Sequence, residues 1–158
     1  MVQDNRIITL TLVLLLAIFL QTLFVFADTQ DTPNKAAVEF ARAYFKYDES
    51  TLKDRLCEER KKTEDEADVI AEYMHRGVEK AEDSGYSVWF IGEKLYHLKT
   101  ETTSENFTNA TIHLTAVKKA PLRSFFTRHK GDPVSADLTL VKEEGKWKVC
   151  GSAFSLIE

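Results

Sequence analysis

The sequence predicts an α+β fold: three N-terminal helices packed on a curved antiparallel sheet of about four strands, a cone, preceded by a hydrophobic signal or anchor helix. Three observations carry this. Apolar residues recur at helical spacing until about residue 85, and from Tyr86 onward the period becomes two. Residues 134–154 alternate apolar and polar around a charged turn that holds Gly145, as a hairpin with one face on a core would. Residues 7–26 carry no charge. Helices followed by strands give a layer of helices on one face of a sheet.

A chain of 158 residues holds one domain of ordinary size and a targeting segment. Charged residues at 29% and aromatics at 11% suit a folded globule. The net charge of -4 argues against a general nucleic-acid binder, which needs a concentrated basic face. The divisions are a leader at 1–27, a linker at 28–33 and one cone domain at 34–158.

Arg6 stands before the uncharged run, and Asp28 and Asp31 follow it, which places the N-terminus in the cytoplasm and the body outside. Val25, Phe26 and Ala27 form a signal-peptidase site, so cleavage after Ala27 is the preferred reading. The run exceeds the usual signal core, which keeps open an uncleaved anchor crossing the membrane through residues 7–26. The expected location is exported: periplasmic, or tethered to the inner membrane with the C-terminal domain outside the cytoplasm.

Thr32-Pro33 starts the first domain helix, which runs to about Tyr47 with Ala37, Phe40, Ala41, Tyr44 and Phe45 on one side. A short second helix begins after Ser50 and carries Leu52, Leu56 and Cys57. Thr63 and Glu66 have capping-box spacing before a third helix, whose stripe is Ala67, Ile70, Ala71, Met74, Val78 and Ala81 and whose stop is Ser84-Gly85. Residues 86–102 then read as a long strand or bent strand pair, with Gly92 as a bulge or bend. Residues 106–119 form the next strand, with Ala110, Ile112, Leu114 and Ala116 on one face, and residues 120–133 connect it to the closing hairpin. In that hairpin Val134, Ala136, Leu138 and Leu140 share a face that Trp147 and Val149 join.

The segments AVEFARAYFKYDESTLKDRL, residues 37–56, and LTLVKEEGKWKVCG, residues 138–151, resemble the opening helix pair and closing hairpin of the nuclear transport factor 2-like, cystatin-like cone superfamily, in its small exported bacterial branch of uncharacterised domains. The resemblance covers about residues 34–157. It implies a cone whose mouth holds a small apolar ligand, serves as a dimer face, or has no chemical role; it carries no catalytic motif.

Cys57 and Cys150 are the only cysteines, and in an exported chain they are expected to pair. Strict alternation, however, puts Cys150 on the face opposite Trp147 and Val149. His97, His113 and Asp137 are the acid–base candidates, with His113 and Asp137 expected to form a solvated cross-strand pair. His75 and His129 lack ligand spacing, and neither a metal nor a cofactor is expected. Arg123, Phe125, Phe126, Arg128, His129 and Lys130 make a basic, aromatic loop that either meets a partner or membrane or covers the cone mouth. Two glycosylation-type sequons begin at Asn106 and Asn109, and their overlap on one strand favours coincidence.

The function expected is an exported, non-enzymatic binding domain for a small apolar ligand or a protein partner. Its pocket candidates, which are equally plain core, are Phe40, Tyr44, Met74, Trp89, Leu138 and Trp147. The alternatives are a small isomerase or dehydratase using a histidine or aspartate in the cone, and a homodimer formed through the sheet.

Overall fold

The computed structural model describes residues 2–28, 30–62, 67–120, 131–151 and 154. It divides into two compact units, Met1–Asp31 and Thr32–Glu158. The first unit contains helix α1, Val2–Asp28. Among the described residues no helix is long and apolar enough to cross a membrane. The side chains described in α1 cover residues 9–23.

The second unit opens with α2, Pro33–Lys46. Thr32 caps it by accepting the Lys35 N–H at 3.3 Å, and Pro33 occupies the first turn, where its missing N–H has no partner to lose. Ala36, Ala37, Phe40, Ala41 and Ala43 form the buried stripe, and the small residues let the helix lie close on the sheet. Helix α3, Glu49–Arg55, begins earlier than the sequence predicts, because Asp48 accepts the Thr51 N–H and so fixes the cap. Leu52 and Leu56 are buried, while the one-turn helix α4, Glu58–Lys61, was not anticipated.

Helix α5, Val69–Asp83, departs from expectation at its start and in its buried face. Thr63 and Glu66 lie outside the described residues; the cap is Asp68, whose carboxylate accepts the N–H groups of Ile70 and Ala71. The face turned inward is Ile70, Tyr73, Gly77 and Ala81, with Ala71 and Val78 exposed. The cause is local. The Tyr47 ring stacks on Tyr73 and lies where a Cβ on Gly77 would sit, 2.5 Å from its nearest atom. The end is as expected: Gly85 at φ 71 donates to Glu82 O and Tyr86 donates to Ala81 O, a Schellman closure.

The strand expected from Tyr86 is corrected. Val88–Ile91 is a one-turn helix, α6, and Gly92 ends it by donating to Val88 O. A run of four apolar residues has no period that separates helix from strand, and the Tyr86–Phe90 ring stack at 4.5 Å favours the turn. The sheet is a meander of β1 (Lys94–Glu105), β2 (Asn109–Lys119), β3 (Asp132–Glu143) and β4 (Lys146–Val149), antiparallel throughout and in chain order. Glu144 and Gly145, at φ 52 and 83, form the two-residue turn whose twist suits adjoining strands. Ile112, Leu114, Leu138, Leu140 and Val149 on one sheet face close a core with α2 and α3. Together these elements give the α+β order of helices on one face of an antiparallel sheet.

Candidate functional site

Alternation along β2 and β3 puts His113, Ser135 and Asp137 on the sheet face away from the core. His113 stands opposite Asp137, with Nδ1 2.6 Å from Oδ1, and its Nε2 lies 3.3 Å from Ser135 Oγ. A carboxylate can only accept, so Nδ1 carries the proton and Nε2 is left to accept from the serine hydroxyl. The connectivity is that of a hydrolytic Ser–His–Asp relay. Its setting is not. The side chains of His113 and Asp137 are 39% and 67% exposed, so the pair competes with water instead of being shielded from it. His97 sits at a register shift of β1 with left-handed backbone, φ 51, apart from this pair, and His75 faces Glu79 at 3.5 Å on exposed α5.

The disulfide Cys57–Cys150 is present, with Cα atoms 5.3 Å apart. Cys150 does not need to be reoriented, because the residues before the two cysteines are already paired. Leu56 forms a parallel bridge with Val149, and Cys57 N–H donates to Val149 O at 3.1 Å. One step along, both cysteines point to the same face and the bond runs sideways between them. Beside it, Lys148 is buried yet ion-paired with Glu143 at 3.0 Å and Glu58 at 3.3 Å. Burial pulls its pKa down, but the hydrogen bonds and charges of Glu143 and Glu58 outweigh this and raise it. Glu143 clusters with the two sulfurs, which are joined and offer no thiolate, so only the carboxylate remains as a metal donor.

Among the described residues, three of the pocket candidates are packed in the core. Phe40, Leu138 and Trp147 expose 1%, 0% and 5% of their surface. Tyr44 and Met74 are half-buried against this core, and Trp89 on α6 is 82% exposed. Tyr44 stacks on Tyr73 and Phe154, and Tyr73 donates its hydroxyl to Tyr44 O at 2.6 Å. Burial, followed by the neighbouring Tyr44 and Tyr47, raises the Tyr73 pKa far above its ordinary value, so it remains a donor. The loop candidates Arg123, Phe125, Phe126, Arg128 and Lys130 lie outside the described residues.

A groove of about 590 Å³ runs between the outer sides of α2 and α3, lined by residues including Glu39, Arg42, Lys46, Asp48, Ser50 and Asp54. Sequence reasoning missed it, although the four-residue spacing of Arg42 and Lys46 was available as a signal. Ser135 was missed likewise, although it lies two residues before Asp137 on the same strand.

No family model matches the chain, and no curated protein matches it. Among solved structures it is similar to a chain of Campylobacter jejuni named provisionally as an NTF2-like transpeptidase, at 17% identity and a TM-score of 0.49, over 77% of this chain and 99% of that one. At that level the likeness carries no inference about activity. The cone-like reading rests on this chain's own order of helices then meander, and on α2 lying across the sheet.

Proposed function

We propose that the protein is an exported, non-enzymatic domain that binds a protein partner through its surface. The observation that carries this is the contrast between pocket candidates packed in the core and aromatic side chains displayed outside. Phe40, Leu138 and Trp147 fill the core, whereas Trp89 is 82% exposed on α6 and Phe107 is 96% exposed in the β1–β2 hairpin. Exposed large aromatics are common anchors of protein interfaces. Export is supported by the uncharged run 7–26, read as a cleaved leader, and by the disulfide, which persists in oxidising compartments. Native mass spectrometry of protein isolated from its own cells is expected to show a second polypeptide, lost in the Trp89→Ser and Phe107→Ser variants. A bound small molecule with no polypeptide would instead support a ligand carrier.

A second reading, enzymatic, has one observation in its favour, the His113 ring held between Asp137 and Ser135. Turnover of a ketone, hydroxy-ketone or activated ester, abolished by His113→Gln, would establish it.

A further inference from the structure

The groove between α2 and α3 has an uneven distribution of occupied and available charge. Three of its lining residues are acids, and each is engaged within the protein. Glu39 accepts from Arg55 Nε at 2.8 Å and pairs with Arg55 Nη2 at 2.7 Å. Asp54 accepts from Lys146 Nζ at 2.6 Å. Asp48 caps α3, accepting from the N–H and hydroxyl of Thr51. The two bases, Arg42 and Lys46, are exposed on α2, and among the described residues neither meets a carboxylate. They stand one helical turn apart, where like charges repel. Ser50 adds a hydroxyl on the opposite wall with no partner among the described residues, and buried Ala43 forms the floor.

We propose that this groove is a binding site for an anionic oxygen group, a carboxylate or a phosphate. Arg42 supplies a planar fork that matches two oxygens, Lys46 supplies a point charge, and Ser50 donates a hydrogen bond from across the groove. An anion seated between the two bases relieves their repulsion. Two of the three acids in the lining, Glu39 and Asp54, are already paired with Arg55 and Lys146, and Asp48 is held at the α3 cap by Thr51, so the lining repels an anion less than three free carboxylates would. The groove, at about 590 Å³, is larger than one anionic group. The proposal does not depend on a protein partner binding at the exposed aromatics.

The test is amide NMR of the labelled protein titrated with sodium phosphate and, separately, sodium acetate, with sodium chloride holding the ionic strength constant. The expected result is saturable shifts at Arg42, Lys46, Ser50 and Thr51 that chloride alone does not produce. In Arg42→Gln with Lys46→Gln the affinity should fall at least tenfold while circular dichroism is unchanged, whereas the single variant Lys46→Arg should keep most of it. Saturation by phosphate but not acetate assigns the site to phosphate groups, and the reverse assigns it to carboxylates. Shifts that never saturate, that chloride reproduces, or that survive in the double variant would overturn the proposal.

Discussion

On the inner face of the sheet Ile112, Leu114, Leu138 and Leu140 are sealed against the helices, and one residue along each strand, on the outer face, His113, Ser135 and Asp137 meet water. The strands are the same and only the parity of the position differs. Apolar transfer and close packing act on the inner set. The outer set makes hydrogen bonds that compete with solvent. The difference teaches that the chemistry-bearing residues of β2 and β3 are dispensable to the fold, with one exception at the sheet's edge, where β4 is bonded covalently to the segment after α3.

That exception gives the largest expected effect. The bond spans 93 residues, and opening such a loop costs about 4–5 kcal/mol in the chain-entropy model. Urea unfolding of Cys57→Ser with Cys150→Ser should show this loss. A loss below about 1 kcal/mol would return the whole of the stability to the inner face. Leu138→Ala, fully buried, should cost about 3 kcal/mol by the same measurement, within the usual range for a core leucine. Between these and the surface stands Gly145→Ala, which forces a side chain to φ 83 in the β3–β4 turn and should cost about 1 kcal/mol.

Asp137→Asn should change stability by less than about 1 kcal/mol, since the pair with His113 is exposed. A larger loss would break the division between the faces. The smallest effect is dependent on pH. The hydrogen bond from Lys146, against a smaller opposing effect of burial, holds the Asp54 carboxyl below the ordinary range. A depressed carboxyl stabilises the fold above its unfolded value of about 4 and ceases to do so as pH falls through its folded value. Lys146→Met should therefore lose a few tenths of a kcal/mol at neutral pH and nothing in strong acid, because both groups are largely exposed. Thermal unfolding across that range would check it.

The closing hairpin was legible in the sequence because each of its signals is local. Alternation fixed the face of Leu138 and Leu140, and Gly145 fixed the turn. The caps at Thr32 and Gly85 were legible for the same reason. What could not be read was set by contacts distant in sequence. The buried face of α5 depends on the Tyr47 ring resting on Gly77, thirty positions away, and nothing within α5 announces it. Cys150 was placed on the outer face correctly, but its partner reaches that face only because Leu56 pairs with Val149. Residues 88–91 carry apolar side chains without a period, which does not distinguish the α6 turn from a strand. The candidate site was read in fragments: His113 with Asp137 from alternation, and neither Ser135 nor the groove of Arg42 and Lys46.

The two tryptophans stand at opposite extremes, Trp147 at 5% exposure with the Lys142 ammonium 5.7 Å from its ring centre and Trp89 at 82% on α6. The protein therefore carries two intrinsic fluorophores, one shielded from acrylamide and emitting towards the blue, the other quenched freely and emitting towards the red. A single emission spectrum separates loss of the core from occupation of the α6 surface, since unfolding moves the first component and a bound partner moves the second.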